Sequence, residues 1–319
     1  MKILAIQNRM GIGDMVMFLP FIEAISKKFN SPVSILVKEN SKALEYLEKN
    51  KYIEKILILE RNNNSNHHDG IIGSFNLAKD LKKYNFEKVF IFNSSLRFRL
   101  VCKMASIKKI FQYPLFQKKQ QHLIKTAQSF IKKELDMDVD SKPIINLEDS
   151  LIENAKKKYN IESNQINILL GIGGSGPTKR IPAYKFLNFM KKLIKEHNCR
   201  FFLATGTNQE EQKILNEILN SEFKKRCTPL DKIKIKETLP IIKNCTIAVC
   251  NDSSFSHLSA ALNVPTIVLL SDTPLMYGSY SPNMYPIIPD GEETVTHDTL
   301  GKERINPEKI FKIFKEIIN

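Results

Sequence analysis

Tryptophan is absent from this chain of 319 residues, and so is any apolar run long enough to cross a bilayer. The longest apolar stretches, such as 264–270, are far too short for that. After Met1 and Lys2 only four apolar residues precede a polar segment, so the hydrophobic part of a signal peptide is missing. We therefore expect a cytoplasmic protein.

The five cysteines include no CxxC pair, and their odd number does not favour a disulfide framework. We expect reduced, partly buried thiols and no zinc site. Two enzyme classes lack their motifs as well. A Walker A loop needs Gly-Lys-Ser/Thr and an α/β-hydrolase needs a Gly-x-Ser-x-Gly elbow, and the chain contains neither.

The net charge is +14, from 48 Lys and Arg against 34 Asp and Glu. A basic surface favours anionic partners such as nucleic acid, phosphorylated lipid or a membrane leaflet. The lysines are, however, spread along the chain and along predicted helix faces, which is typical of a solvated surface. Nucleic-acid binding predicts clustered arginines with aromatic residues between them, so we do not expect it.

Short β-rich runs alternate with amphipathic helical stretches such as 15–29 and 41–49, which predicts parallel sheets covered by helices. A polar segment, 136–149, interrupts this alternation, which then resumes. We therefore predict two doubly wound domains, 1–145 and 146–319, that bind ligands at the carboxyl ends of their strands and face a central cleft. The predicted strands are 3–6, 33–37, 56–59, 88–92, 165–170, 200–204, 246–250 and 266–270.

The sequence also supports a specific prediction for each of two further segments. The last stretch, 307–318, predicts a capped helix that could pack back on the first domain. Between residues 60 and 74 lies an Asn-rich loop with adjacent His67 and His68. Adjacent histidines lack the i, i+4 spacing of a helical metal site, so we favour a solvated loop.

The first predicted strand runs into Gly11-Ile12-Gly13-Asp14 at the start of a helix. Glycine at a strand-to-helix turn lets the backbone approach a ligand closely. Asp14 then lies at the carboxyl edge of the sheet, either as a carboxylate that faces a ligand or only as the helix N-cap, and the spacing favours neither. A dinucleotide site is disfavoured because Val16 stands where the third glycine belongs.

A glycine-rich loop follows the first strand of the second domain, and its Gly171, Gly173 and Gly176 fit the GxGxxG spacing. A dehydrogenase site is nevertheless disfavoured. The helix begins only near Pro182, and the next strand ends at Thr205 with no acidic residue for a ribose. What remains is an amide-rich loop with hydroxyls and cations, which suits phosphate oxygens.

Asn251-Asp252-Ser253 stands where a later strand runs into a helix. The free amides of a helix's first turn bind diphosphates well. His257 lies one turn further along, on the same face of the helix as Ser253 or Ser254. From the pattern alone, a capped helix with a packed histidine is the favoured interpretation, and an anion site is the alternative.

Taken together, these motifs resemble glycosyltransferase family 9, the ADP-heptose–lipopolysaccharide heptosyltransferases. Four segments carry the resemblance, in the family's order along nearly the whole chain: 11–20, 173–182, 251–266 and 271–280. The resemblance implies a GT-B fold of two Rossmann-like domains, the first binding the acceptor and the second the nucleotide sugar. It also implies an inverting transfer without metal or other cofactor. The DxD-like Asp136-Met137-Asp138 follows a helix rather than a strand, so we expect it to be solvated linker.

The resemblance also implies roles for single residues. Asp14, beside Gly11 and Gly13 on the acceptor side, would be the general base. Lys179 would offset the charge that develops on the leaving nucleoside diphosphate. The other donor-binding candidates are Ser175 and Thr178 in the phosphate-binding loop, Glu210 for the ribose, Asp252 and Ser253 for the sugar and diphosphate, and His257 as support.

The function that this resemblance implies is transfer of a sugar, heptose from ADP-heptose, to a lipopolysaccharide core or a related surface glycan. Its partners would be a nucleotide sugar and a phosphorylated, lipid-linked acceptor, with peripheral contact at the inner face of an anionic membrane. Ser254 and Ser271 replace a usual glycine and a common proline, and Ile181 replaces a frequent tryptophan, so the sugar stays open. The alternatives are the same fold with another nucleoside diphosphate sugar, or a nucleotide-sugar-binding protein without catalysis.

Overall fold

The computed structural model describes residues 1–9, 11–61, 66–115 and 122–318. The chain divides into two compact units, Met1–Pro143 and Ile144–Asn319, each built on its own parallel sheet. Within the described residues, no helix combines the length and the apolar character that crossing a membrane requires. The five cysteines are free thiols, of which four are buried.

The first unit alternates strands and helices. Its strands are β1 (Ile3–Gln7), β2 (Val33–Lys38), β3 (Ile53–Leu59), β4 (Lys88–Ile91) and β5 (Lys109–Gln112). Its helices are α1 (Ile12–Phe29), α2 (Ala43–Tyr46), α3 (Gly70–Lys82), α4 (Leu96–Met104) and α5 (Leu123–Leu135), with a 3₁₀ turn at Glu39–Ser41 before α2.

The strands of the first sheet pair in parallel, in the order β3-β2-β1-β4-β5. Alternate residues along β4 point to opposite faces of the sheet. Val89 and Ile91 therefore join the core under α3 and α4, whereas Phe90 contacts Phe130 of α5 on the other face. The strand order reverses between β1 and β4, and sheets of this kind bind ligands beside such a reversal.

The second unit repeats this architecture with six strands. They are β6 (Ile166–Gly171), β7 (Cys199–Ala204), β8 (Cys227–Pro229), β9 (Ile247–Asn251), β10 (Thr266–Leu269) and β11 (Met284–Ile287). The helices are α6 (Asp149–Lys158), α7 (Ala183–Glu196), α8 (Gln209–Leu219), α9 (Ile235–Lys243), α10 (Ser254–Ala261) and α11 (Pro307–Ile318). Short 3₁₀ turns lie at Lys224–Arg226, Leu275–Tyr277 and Lys302–Arg304.

The second sheet is also parallel, in the order β11-β10-β9-β6-β7-β8. Its order reverses between β6 and β9. The glycine-rich loop follows β6, and Asp252-Ser253 follows β9. The two motifs singled out in the second half of the sequence therefore meet at the point where such a sheet binds its ligand.

The predicted strands correspond to β1 to β4 in the first unit and to β6, β7, β9 and β10 in the second. Three strands were missed: β5, β8 and β11, which have three or four residues each and all lie at sheet edges. The helix predicted over 41–49 is shorter than expected, since only the single turn of α2 is helical.

The terminal helix, α11, uses its apolar face within the second unit. Ile310 and Phe314 are buried in that unit's core, and the Phe314 ring lies 5.9 Å from the ring of Phe189 on α7. The helix predicted over 307–318 is thus present, and its buried residues pack within the second unit.

Candidate functional site

The glycine-rich loop after β6 is held at its start by Asn251, the last residue of β9. Asn251 is fully buried, and its Nδ2 donates to the carbonyl oxygens of Ile172 at 2.9 Å and Gly173 at 3.2 Å. Because β6 and β9 are neighbours in the sheet, this one side chain joins both strand ends. The loop therefore leaves the sheet from a fixed point.

Glu211, on the first turn of α8, holds the next part of the same loop. Its carboxylate is buried and accepts a hydrogen bond from the Gly174 N–H, with Oε1 2.8 Å from the nitrogen. Asn208 caps α8 by accepting from the Glu211 N–H at 3.0 Å, and its Nδ2 donates back to the Glu211 carboxylate. One loop amide that the sequence offered to phosphate is thus already used by Glu211.

Two glycines of this loop are required by close packing. A Cβ at Gly171 would lie 2.6 Å from the Cys250 sulfur on the neighbouring strand. A Cβ at Gly173 would lie 2.9 Å from Oγ1 of Thr205 and closer still to the Glu211 carboxylate. At these two positions the glycines of the GxGxxG spacing are therefore required by packing against Cys250, Thr205 and Glu211.

Lys179, later in the same loop, forms an ion pair with Asp252, which directly follows β9. The Lys179 Nζ lies 2.7 Å from the Asp252 Oδ2, and the two side chains are only 21% and 6% exposed. The His257 Nε2 lies 3.7 Å from Oδ1 of the same carboxylate, and its Nδ1 lies 2.8 Å from the Tyr280 hydroxyl. The structure thus brings together three predicted site residues and adds Tyr280 to them.

Burial and charge set the protonation of this cluster. Burial raises the pKa of the Asp252 carboxyl, but the His257 ring and the Lys179 ammonium outweigh it and hold that pKa below its ordinary value. Burial, and then the Asp252 charge, raise the pKa of Tyr280 well above its ordinary value. The Tyr280 hydroxyl and Nδ1 of His257 share a hydrogen bond, and the other ring nitrogen, Nε2, faces Asp252.

Four buried polar atoms at the carboxyl edge of the second sheet have no hydrogen-bond partner in the described part of the chain. They are Oγ1 of Thr205, Oδ1 of Asn251, Oγ of Ser253 and Oγ1 of Thr273. Buried polar atoms without partners are costly and uncommon in folded proteins. Their position at or beyond the ends of β7, β9 and β10 indicates a binding site for a polar ligand at this edge.

The other predicted residues of this unit lie nearer the surface. Ser175 is exposed, and Thr178 is half-buried, with its carbonyl oxygen 2.8 Å from the Ser271 hydroxyl. Glu210 is exposed and pairs with Lys213 at 2.7 Å, an interaction that lowers the pKa of its carboxyl. The structure therefore turns the neighbouring Glu211, rather than Glu210, toward the glycine-rich loop.

In the first unit, Gly11 precedes α1 with a φ of 101°, a conformation that favours glycine. Gly11 also occupies the N-cap position, so the N-cap interpretation of Asp14 is wrong; Asp14 is the third residue of the helix. Its Oδ1 accepts a hydrogen bond from the Arg9 Nε at 2.9 Å. Gly13 is half-buried in the same turn. Met10, which belongs to this motif, lies outside the described residues.

Asp14 lies beside the strand reversal of the first sheet. Beyond the carboxyl ends of β1 and β4, the Asn93 Nδ2 donates to the Asn8 Oδ1 at 3.1 Å. Gln112, the last residue of β5, donates from its Nε2 to the carbonyl oxygens of Asn93 at 3.1 Å and Ser95 at 2.9 Å. Carboxylate and amide groups are thus gathered where a sheet of this type binds its ligand.

The loop with adjacent histidines is not simply solvated, because His68 is buried. Its Nδ1 accepts a hydrogen bond from the Glu60 N–H at 3.0 Å, so the ring proton is on Nε2, 3.2 Å from the Asp80 carboxylate. His67 Nε2 lies 3.1 Å from the same oxygen, and the three side chains are close enough to surround a cation. A protonated Nε2 has no lone pair for a metal, so the geometry favours an anchor of the loop on α3.

The DxD-like segment has the surroundings expected of a linker. Asp136 ends α5, and its carboxylate pairs with Lys132 at 3.1 Å. Asp138 pairs with the same ammonium at 2.9 Å, and both acidic side chains are exposed. Both carboxylates thus pair with one lysine of the helix that precedes them.

Sequence reasoning missed several residues of the second unit's site. Thr205 and Thr273 each lie just beyond a strand, and Asn251 ends one, so their position at the carboxyl edge was a usable signal. Glu211 also had a signal, because Asn208-x-x-Glu211 at the start of a helix fits a capping pair. Its bond to Gly174 depends on the fold and was not foreseeable from that pattern.

The chain is similar in sequence and in structure to known heptosyltransferases and other family 9 glycosyltransferases. The sequence model of Glycosyltransferase family 9 (heptosyltransferase) matches residues 75–298. Lipopolysaccharide heptosyltransferase 1 of Campylobacter coli is 24% identical over 351 aligned positions, covering 99% of this chain and 99% of that protein. The structure of Escherichia coli ADP-heptose LPS heptosyltransferase II matches with a TM-score of 0.74 at 19% identity, covering 99% of this chain and 98% of that one.

A family 9 glycosyl transferase of Veillonella parvula has a TM-score of 0.78 at 16% identity, covering 99% of this chain and 96% of that one. At these identities the similarity shows the fold. The predicted GT-B fold, with two parallel-sheet α/β domains, is thereby confirmed.

Proposed function

The chain belongs to glycosyltransferase family 9 (heptosyltransferase), and from that premise we propose that it transfers heptose from ADP-heptose to a lipopolysaccharide core or a related surface glycan. One observation carries the proposal: the buried cluster of Lys179, Asp252 and His257 adjoins unsatisfied polar atoms at the strand reversal of the second sheet. The donor is suggested by the name of the Escherichia coli protein, and the acceptor by that of the Campylobacter coli relative.

The second unit offers the groups that a nucleoside diphosphate needs. The Lys179 ammonium is the cation for the diphosphate, and the unpartnered Ser253 hydroxyl at the start of α10 is a donor beside it. Ser175 and Thr178 lie in the same loop and add hydroxyl groups, and Glu210 is proposed for the ribose. Asp252 would orient the sugar by accepting hydrogen bonds from the hydroxyl groups of the sugar.

In the proposed reaction Asp14 accepts the proton of the acceptor hydroxyl as that oxygen attacks the anomeric carbon. The bond between that carbon and the diphosphate oxygen breaks, and ADP leaves with the electron pair, so the anomeric configuration inverts. Lys179 offsets the charge that develops on the leaving group. The Lys179 ammonium would supply the positive charge that the diphosphate needs. We therefore propose that the transfer uses neither a metal nor another cofactor.

The proposed partners are the nucleotide sugar and a phosphorylated, lipid-linked glycan at the inner face of the cytoplasmic membrane. A second candidate keeps the fold but uses another nucleoside diphosphate sugar. It is favoured by Ser254, which stands at the first residue of α10, beside the unpartnered Ser253 hydroxyl. Nucleotide-sugar binding without catalysis is disfavoured, because Asp14 is present and oriented by Arg9.

Nucleotide binding is tested by thermal unfolding of the full chain with ADP, GDP, UDP or inorganic phosphate. A ligand at one hundred times its Kd stabilises the folded state by about 2.7 kcal/mol, which corresponds to a rise in Tm of roughly 5 °C for a chain of this size. We expect this rise with ADP and a much smaller one with GDP, UDP or phosphate. A larger rise with GDP or UDP would favour the second candidate.

The control compares two lysines. Lys179→Ala should lose most of the ADP-induced rise, because the diphosphate loses a charge-assisted bond, whereas Lys191→Ala on the exposed face of α7 should keep it. The comparison uses the ADP-induced rise and not Tm itself, since Lys179→Ala leaves Asp252 buried without its cation. The donor site would be refuted by an unchanged rise in Lys179→Ala, or by no rise with any nucleotide.

A further inference from the structure

The first unit carries an exposed apolar surface on α3 and α4. Of the fourteen large apolar side chains that the described residues expose, six belong to these two helices. Ile71, Ile72 and Phe75, at the start of α3, are 81%, 77% and 60% exposed. Along α4, one helical turn apart, lie Leu96, Leu100 and Met104. We call these six residues the α3–α4 face.

The two halves of this face belong to one surface. The inner faces of α3 and α4 bury Leu77, Leu81, Phe98 and Val101 in the same core cluster, on the same side of the first sheet. Arg97 of α4 donates from its Nε to the Ser74 hydroxyl of α3 at 2.8 Å, which ties the two helix starts together. Since both helices pack on one side of the sheet, their outer faces point away from it together.

The charge around this face is positive. Helices α3 and α4 together contain five Lys and Arg residues and one acidic residue, Asp80. The first unit as a whole has 25 Lys and Arg against 14 Asp and Glu, a net charge of +11, whereas the second unit has 23 against 20, a net charge of +3. Most of the protein's net positive charge thus lies in the unit that bears the apolar face.

Basic residues also lie on the same helices as the apolar ones. Lys79 is exposed one turn after Phe75 on α3, and Lys103 is exposed one turn after Leu100 on α4. Two acidic groups of α3 are already paired: Asp69 at its N-cap with Arg61 at 2.7 Å, and Asp80 with Lys83 at 2.6 Å.

The α3–α4 face also adjoins the carboxyl edge of the first sheet. Ile71, Ile72 and Leu96 lie in the first turns of helices that follow β3 and β4, at the carboxyl edge of the sheet where Asp14 lies. A surface that rests on the membrane at this edge would keep the base of the first unit close to a lipid-linked hydroxyl.

We propose that the α3–α4 face docks on an anionic lipid bilayer, inserting its apolar side chains at the interface while the surrounding lysines and arginines contact acidic headgroups. Apolar burial and attraction to anionic lipid add together in such binding. Charge complementarity selects this occupant, because a neutral apolar partner would leave the basic surroundings unused. The inference rests on the proposed function, since a lipid-linked acceptor gives the contact its use.

The test is flotation of the full chain with vesicles of phosphatidylcholine alone or doped with phosphatidylglycerol. The wild type should bind the doped vesicles, with binding that falls as salt rises. The combined variant Ile72→Ser, Phe75→Ser and Leu100→Ser should lower the partition coefficient by about 100-fold. Leu44→Ser, at an exposed leucine of α2, is the matched control and should bind like the wild type.

A second pair of variants tests the charge. Lys79→Glu with Lys103→Glu should reduce the preference for doped vesicles by at least about tenfold, because each charge reversal removes an attraction and adds a repulsion. Lys191→Glu with Lys195→Glu, two exposed lysines of α7 in the second unit, should leave that preference unchanged. Equal losses in both pairs would contradict a docking face on α3 and α4.

Two further results would overturn the proposal. One is wild-type vesicle binding by the apolar variant with its thermal unfolding unchanged. The other is self-association of the wild type, measured by sedimentation, that the apolar variant abolishes without any vesicle binding, since the face would then join two protein copies. Transfer to a water-soluble acceptor fragment separates this proposal from the enzymatic one. If no sugar is transferred while vesicle binding depends on the face, the proposed function fails and the docking surface stands.

Discussion

At the scale of single residues, the first unit offers a carboxylate whose position is fixed before any substrate arrives. Asp14 is in the first turn of α1, and the Arg9 guanidinium donates to one of its oxygens at 2.9 Å. Only one oxygen is engaged by that hydrogen bond. A carboxylate held in this way can accept a proton without first reorienting, which is what a general base requires.

Replacement of Asp14 by Asn preserves the shape of the side chain but removes its ability to take a proton. We expect Asp14→Asn to lower kcat by about 10²- to 10⁴-fold while the Kd for ADP stays within about twofold of the wild type. Single-turnover kinetics and calorimetric ADP binding measure the two quantities. Substantial turnover by this variant would remove Asp14 from the proposed role.

The adjacent glutamates of α8 show what the sequence could not resolve. Glu210 and Glu211 are chemically identical and differ by about 100° around the helix axis. That rotation leaves Glu210 in solvent beside Lys213 and directs Glu211 into the protein, onto the Gly174 N–H. Which glutamate points inward depends on where α8 begins relative to the loop after β6, and this is a tertiary relation.

At the scale of elements, the loop after β6 is fixed by its neighbours rather than by its own sequence. Asn251 of β9 holds its start, Glu211 of α8 holds Gly174, and the Ser271 hydroxyl donates to the Thr178 carbonyl oxygen at 2.8 Å. Three separate elements therefore determine where Lys179 is presented.

Alanine substitution at two glycines of this loop tests that dependence. At Gly173 the new Cβ would collide with Glu211 and Thr205 and displace the carboxylate from the Gly174 N–H. We expect Gly173→Ala to cost about 2 to 3 kcal/mol of unfolding free energy and to weaken ADP binding. Gly176→Ala, whose Cβ meets nothing nearer than 3.9 Å, should change stability by less than about 0.5 kcal/mol.

Chemical denaturation and calorimetric titration with ADP supply both measurements. If Gly173→Ala and Gly176→Ala behaved alike, the packing of Gly173 against Glu211 would not be what positions the loop.

The strands that the sequence did not predict have a common physical reason. β5, β8 and β11 lie at sheet edges, where one side of the strand has no partner in the sheet and a continuous apolar run is not needed. β8 and β11 each contain a proline, which is tolerated at an edge but not in a central strand. The central strands are almost entirely buried, and their apolar runs made them predictable.

At the scale of the whole molecule, the two units divide the chemistry. The first unit carries most of the net positive charge and Asp14, and the second carries the cluster of Lys179, Asp252 and His257 with four unsatisfied polar atoms at the carboxyl edge of its sheet. Counting lysines along the full chain hid this division, because a net charge of +14 spread over 319 residues resembles ordinary solvated surface. The difference emerges only when the boundary is known and the two units are counted separately.

This division predicts which backbone amides should exchange hydrogen more slowly when a nucleotide binds. With saturating ADP, amide hydrogen exchange should slow in the segments after β6 and β9, which include Lys179 and Asp252, because binding stabilises the local structure around the ligand. Amides of the first unit's strands should exchange at the same rate with and without ADP. Protection centred on the first unit would reverse the assignment of the two units.

The ion pair between Lys179 and Asp252 has a consequence for turnover. In the proposed reaction, an incoming diphosphate would have to share the ammonium with a carboxylate that lies 2.7 Å from it, so Asp252 would compete with the ligand for Lys179. After the proposed transfer, the same carboxylate would pair with the lysine again as the nucleotide departs. This exchange of counter-ions would lower the affinity for the product nucleotide and favour its release. Product release limits the rate of many enzymes.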